Sequence, residues 1–442
     1  MYALYSFLLA VAFVILSPMF YFRREKYASG FKQRLGDLPQ FIHDSRPVIW
    51  LHAVSVGEVN AARPLVDGIR ERFPDHRVVV STTTKTGQDL ARRVFADSAD
   101  AVFYFPFDFK FSVRKALAHF DPSVILLMET EIWPRFITEA NGAGARVAIV
   151  NGRLSERSYR RYAKVRNLLR GVLKLLDVAL MQGSSDANRL ISLGARAAGV
   201  EVIGNLKFDI APDPTETELT RQIAGRFALT NSRPTIVAAS THDPEERWIL
   251  DAYCSLAAGR SAERPRLIIA PRHPERFDKV AALLRQFRDD PACEWSRYTV
   301  ARRSSESAEQ DRDADIILLD SIGELRAVYP LATIVFVGGS LVPHGGQSVL
   351  EPAAAGKAII TGPHTHNFAE VNKTFLASSA LIQIDPARSE VVADELFVTI
   401  SDLLEDPEKL SSLGTAASDV MTANRGSTAK TIERLTSILS QK

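Results

Sequence analysis

Cysteine is nearly absent: Cys254 and Cys293 are the only two in 442 residues. They lie far apart and lack metal-ligand spacing. That excludes a disulfide framework and leaves two ordinary reduced thiols. A dominant charge is missing too. Lys and Arg number 54 against 52 Asp and Glu, for a net +2, which gives no case for nucleic acid as the main partner. No internal repeat is visible. The polar stretch from Arg302 to Asp315 reads as a surface loop, and its Asp313-Ala-Asp315 reads as solvated rather than metal-binding. No other cluster has ligand spacing, so neither a metal nor another cofactor is expected.

What is present begins with an apolar run. Tyr2 to Phe22 contains no charged residue and is about long enough to span a bilayer. Arg23, Arg24 and Lys26 follow at once, and by the positive-inside rule they put the rest of the chain in the cytoplasm. A cleaved signal peptide would need basic residues before the run and a small-x-small site after it. The first is missing, and Ser17-Pro18-Met19 is a poor second. Residues 1–22 therefore read as an uncleaved membrane anchor. Residues 23–39 read as a basic linker lying against anionic headgroups.

Strand and helix signals then alternate. In residues 40–208 strands are predicted at Val48–Ala53, Arg77–Ser81, Ala101–Phe105, Val124–Met128, Arg146–Val150, Val178–Met181 and Val200–Ile203. A linker, 209–231, separates these from a second run over 232–415. The alternation predicts an α/β protein with a doubly wound parallel sheet in each domain. Ligand crevices in such sheets lie beyond the carboxyl ends of the strands.

Unusual polar stretches fall at those ends. His52-Ala-Val-Ser55-Val-Gly-Glu58 puts an acid at a helix start, where it serves either as a general base or as a partner of the helix dipole. Glu129-Thr-Glu131-Ile-Trp-Pro134 carries paired carboxylates suited to acid/base work, sugar hydroxyls or a helix cap. Arg153 opens a stretch of Arg and Tyr that suits phosphate, or is only a solvated face. Lys207 follows the next strand.

In the second domain, His242, Arg272 and His273 follow the first two strands. The richest stretch runs from Gly338 to Asn367. Gly338-Gly339 and Gly345-Gly346 precede a helix predicted from Gln347 to Ala355, followed by a strand from Lys357. A glycine-rich loop feeding a helix start is an anion cradle. Glu351, one turn in, is placed to accept from ribose hydroxyls.

Together HAVSVGE (52–58), ETEIWP (129–134), NGRLSERSYRRY (151–162), GNLKFD (204–209), APRHPERF (270–277) and GGSLVPHGGQSVLEPAAAGKAIITGP (338–363) resemble the Kdo transferase family, over nearly the whole chain. Kdo is 3-deoxy-D-manno-oct-2-ulosonic acid. The resemblance implies a GT-B fold: two Rossmann-like domains facing a central cleft, with a final helix, within 416–442, returning to the first domain. It implies CMP-Kdo as donor and a lipid A precursor as acceptor, at the cytoplasmic face of the inner membrane among its lipids. It assigns Glu58 as general base. Arg272, His273, Gly338, Gly339, Gly345, Gly346, Gln347, Ser348, Glu351 and Asn367 become the donor set. His52, Ser55, Glu129, Glu131, Arg153, Lys207 and His242 are candidates for the acceptor or the Kdo carboxylate. The rivals are another nucleotide-sugar enzyme, such as a lipid A disaccharide synthase or an epimerase, and a membrane-anchored binding protein without turnover.

Overall fold

Short runs of Val, Ile and Leu are the mark of strands buried on both faces, as helices flanking a parallel sheet require. In Val48–His52 every residue is buried, and in Pro122–Met128 all but Ser123. The computed structural model describes residues 30–209, 217–229, 233–258, 264–288, 298–386 and 388–440, with Tyr5, Leu9, Val11 and Ile15. Apart from those four positions, the expected anchor over 1–22 lies outside the described residues, as does linker 23–29. Among the described residues no helix is long and apolar enough to cross a membrane. The chain divides into two compact units, Met1–Ile210 with Asn424–Lys442, and Ala211–Ala423.

The first unit holds β1 (Val48–His52), β2 (Arg77–Thr82), β3 (Ala101–Tyr104), β4 (Pro122–Met128), β5 (Arg146–Gly152), β6 (Val178–Met181) and β7 (Val200–Val202). The sheet is parallel throughout, in the order β3-β2-β1-β4-β5-β6-β7. Strand order reverses between β1 and β4, the switch point where such sheets open a crevice. Helices α1 (Val56–Arg72), α2 (Pro134–Gly142) and α3 (Glu156–Ala163) follow β1, β4 and β5. Buried Trp50 centres one face, with Phe103, Phe120 and Phe136 at ring distances of 5.1, 5.7 and 5.1 Å. The start of α2 is capped from a distance. Asp108 accepts the N–H groups of Arg135 (3.0 Å) and Phe136 (2.7 Å), and the Tyr5 hydroxyl donates to it at 2.7 Å.

The second unit repeats the plan with β8 (Thr235–Thr241), β9 (Arg266–Pro271), β10 (Val300–Arg302), β11 (Ile316–Leu318), β12 (Ile334–Val337), β13 (Ala358–Thr361) and β14 (Ile382–Gln383). Its parallel order is β10-β11-β9-β8-β12-β13-β14. Its switch point falls between β8 and β12. Helix α4 (Glu245–Ala258) follows β8, α5 (Leu350–Ala354) precedes β13, and α6 (Pro407–Asn424) comes after the sheet.

Some expectations need correction. The helix expected from Gln347 starts at Leu350, because Gly345 and Gly346 take φ of 94° and 72° and Ser348 Oγ accepts the Leu350 N–H at 3.3 Å. Asp315 is not solvated: it is buried and accepts from Arg233 and from the Thr299 N–H. The final helix is two helices, broken at Gly426 with φ 92°. The second of them, α7 (Ser427–Ser440), belongs to the first unit. Asp209 caps it through the N–H groups of Gly426 (2.8 Å) and Thr428 (2.6 Å). Leu435 and Ile438 complete a core with Leu65, Val66 and Ile69 of α1.

Leu435→Ala removes a fully enclosed side chain from that core. The expected cost is about 2–5 kcal/mol, read as a lowered urea midpoint for the unfolding of the first unit.

Candidate active site

In the first unit the end of β1 turns into α1 through Ser55, whose backbone is extended (φ −128°, ψ 170°). Glu58 is the third residue of that helix, so its carboxylate reaches back over the helix start. It accepts the Val54 N–H at 2.9 Å and the Ser55 hydroxyl at 2.9 Å, a variant of the capping box. Only 7% of Glu58 is exposed. Burial first, and the nearby Glu129 carboxylate second, push its pKa up to about 8. A general base working near neutral pH needs a value in that region.

Glu129 leaves β4 in a left-handed turn (φ 53°), and Lys207 Nζ lies 3.6 Å from its Oε1. Burial raises the Glu131 pKa as well. The intervening Thr130 is latched to the next strand end: its Oγ1 accepts the Arg153 N–H at 3.0 Å and donates to the Arg153 carbonyl. Asn151, also left-handed (φ 54°), accepts the Leu206 N–H at 3.0 Å, which brings Lys207 to this end of the sheet. The fold thus gathers Glu58, Glu129, Glu131 and Lys207, with the backbone of Arg153 beside them.

His52 is packed into the sheet at the end of β1. It is fully buried, its ring stacked on Phe105 at 3.8 Å, with Nδ1 3.0 Å from Ser81 Oγ. Burial lowers its pKa to about 3, so it is a neutral ring at the end of β1, with Nε2 buried and unpartnered among the described residues. Ser55 likewise directs its hydroxyl to Glu58.

In the second unit, His242 follows β8. Its ring stacks on His344 at 4.4 Å and meets His273 edge-on at 5.3 Å. Burial, then His344 and His273, lower its pKa to about 4, with Arg276 and Arg272 adding to the effect. Its Nε2 is buried without a hydrogen-bond partner among the described residues. A site crowded with cationic and potentially cationic groups, with an unused ring nitrogen, suits an anion.

The glycine loop has a different internal logic from the expected cradle. The N–H of Gly338 goes to the Ala239 carbonyl, and that of Gly339 to the Glu245 carboxylate. The first glycine pair is therefore closed to a phosphate through those N–H groups. Its smallness is still required, since a Cβ on Gly338 would sit 2.6 Å from the Ser240 oxygen. Gln347 lies beside Gly339. Asn367 holds the second glycine pair, its amide donating to the His344 carbonyl at 2.9 Å and its N–H to Gly345 at 3.0 Å. Arg272 and His273 are exposed. Glu351 lies half-buried in α5, its pKa raised by burial and opposed by Arg326. Among the described residues no group of three or more His, Cys, Asp or Glu is arranged to hold a metal. Glu245, which the motifs do not single out, holds the start of the glycine loop. Its signal is an acid in the first turn after each unit's first strand, at Glu58 and again at Glu245.

Residues 29–210 match the family described as 3-deoxy-D-manno-octulosonic-acid transferase. The chain is 34% identical over 388 residues to the 3-deoxy-D-manno-octulosonic acid transferase of Haemophilus influenzae, covering 88% of this chain and 86% of that protein. It is 34% identical over 393 residues to the Bordetella pertussis transferase of the same name, with 88% and 86% covered. Two solved structures share the fold. One is a UDP-GlcNAc 2-epimerase from Neisseria meningitidis bound to UDP-GlcNAc (TM-score 0.57, 13% identity, 89% of this chain and 100% of that one). The other is a glycosyltransferase from Rickettsia africae (TM-score 0.52, 12% identity, 90% and 100%). At such identities the likeness speaks for the fold alone.

The raised pKa of Glu58 has a stability consequence. The folded value of about 8 lies above the ordinary 4.5. Its stabilising contribution is therefore complete below about pH 4.5 and is lost as pH rises through about 8. Glu58→Gln stays neutral. It is expected to unfold near the wild-type temperature at about pH 5 and above it at about pH 9, measured by thermal unfolding across that range.

Proposed function

The chain belongs to the 3-deoxy-D-manno-octulosonic acid transferase family, and on that premise we propose that it moves Kdo from CMP-Kdo to a lipid A precursor. The acceptor in this reading is the 6′-hydroxyl of the tetraacylated, bis-phosphorylated glucosamine disaccharide. The observation that carries the proposal is Glu58: a carboxylate at the switch point of the first sheet, held by two hydrogen bonds and raised to about 8. Ionised Glu58 takes the proton of the acceptor hydroxyl as its oxygen attacks the anomeric carbon of Kdo. The bond from that carbon to the CMP phosphate breaks, CMP keeps the electron pair, and the anomeric centre inverts. Lys207, paired with Glu129, supplies positive charge for an acceptor phosphate or the Kdo carboxylate.

In the second unit His242, His273, Arg272 and the loop of Gly345, Gly346, Gln347 and Ser348 receive the donor. The N–H groups of Gly345, Gln347 and Ser348 and the Arg272 guanidinium stabilise the charge that builds on departing CMP, with no metal in the scheme. Glu351 accepts from the ribose. Residues 1–22 hold the enzyme to the inner membrane with both units on the cytoplasmic face, where an acylated acceptor is found.

The test is product mass. Full-length protein with CMP-Kdo and the tetraacylated precursor is expected to add Kdo to the lipid, with kcat/KM rising through about pH 8. Glu58→Gln is expected to lose about 10²–10⁴-fold in rate while binding CMP as wild type does. Folded wild-type protein that leaves the lipid mass unchanged overturns the proposal.

A further inference from the structure

Glu245, the first residue of α4, is fully buried, and its carboxylate accepts four backbone N–H groups. Oε2 takes those of His242 (2.9 Å) and Gly339 (2.7 Å). Oε1 takes those of Ser340 (3.1 Å) and Leu341 (3.0 Å). One donor lies just past β8 and three lie just past β12. The carboxylate therefore spans the switch point of the second sheet. Consecutive N–H groups converging on an anion form a nest, and here the chain supplies the anion itself.

The grip reaches one strand further. Ser340 Oγ accepts the Gly362 N–H at 2.8 Å, and the Ser340 carbonyl accepts that of His364 at 2.9 Å. The loop leaving β13 thus hangs on a residue that Glu245 holds. The packing has no slack, since a Cβ on Gly362 would lie 2.3 Å from the Ser340 oxygen. The Gly346 N–H in turn donates to the Gly339 carbonyl at 2.8 Å, so the second glycine pair is registered against the first.

We infer that Glu245 is a positioning residue for the donor: its carboxylate sets the exit loops of β8, β12 and β13 so that His242, Gly345 and Gly346 face the donor's phosphate. The inference rests on the donor reading proposed above. A carboxylate is needed and a filler of the same shape is not enough, because each group bonded to it is a donor. The amide of a glutamine would turn its own N–H groups toward them and leave buried donors unpaired.

The test uses full-length wild type, Glu245→Gln and Glu245→Ala. CMP binding is measured by calorimetry per folded molecule, beside thermal unfolding and transfer kinetics. Glu245→Gln is expected to bind CMP about tenfold or more weakly, the effect of losing charge-assisted hydrogen bonds. Its donor KM should rise by a larger factor than kcat falls. Formate, a free carboxylate small enough for the vacated space, is expected to restore CMP affinity to Glu245→Ala and to leave wild type unchanged. If Glu245→Gln fails to fold, the formate response of Glu245→Ala decides. CMP affinity in folded variants equal to wild type, or a fall in stability with KM and affinity unmoved, overturns the inference alone. Wild-type protein that binds no CMP overturns the donor reading and this inference with it.

Discussion

A carboxylate taken out of water must be compensated by donors or by positive charge, or it gives up its own charge. The two units meet that constraint with different numbers of donors at the same topological slot. Each places a glutamate in the first turn of the helix after its first strand, beside the switch point of its sheet. Glu245 receives four N–H groups from two strand ends and braces loops. Glu58 receives one N–H and one hydroxyl and faces Glu129, so its pKa climbs to about 8. Incomplete compensation leaves Glu58 able to exchange a proton. Burial raises the Glu245 pKa as well, against the pull of its N–H groups, but with four donors on it Glu245 is a structural tie.

The strand ends around these glutamates carry backbone strain. Glu129, Asn151 and Ser240 are non-glycine residues with φ of 53°, 54° and 55°, at or just past the ends of β4, β5 and β8. Such positions cost about 1–3 kcal/mol each and persist where surrounding contacts over-determine them. Here the contacts can be named. Glu129 pairs with Lys207, Asn151 holds the Leu206 N–H, and the Ser240 carbonyl lies under Gly338.

Much of this was legible in the sequence, for local reasons. Apolar runs such as VIWLH and PSVILLM become strands because both their faces are covered. Acids, histidines and glycines beyond those runs stand out because a turn does not need them. What was not legible depends on distant partners. Glu245 meets Gly339 across 94 positions, and no local pattern encodes that pairing. The stacking of Phe105, from past the end of β3, on the His52 ring is likewise set by a distant segment. The late start of α5 turns on two left-handed glycines and one serine hydroxyl. The break at Gly426 turns on a cap supplied by Asp209 from 217 positions away.

That last bond also bears on the order in which the protein is made. The first unit is discontinuous in sequence: α7 closes its core only after residues 211–423 have been synthesised. A ribosome adding about 5–20 residues per second completes the second unit while the first still exposes the apolar face of α1 that Leu435 and Ile438 will cover. The nascent first sheet therefore keeps that flank open until α7 arrives.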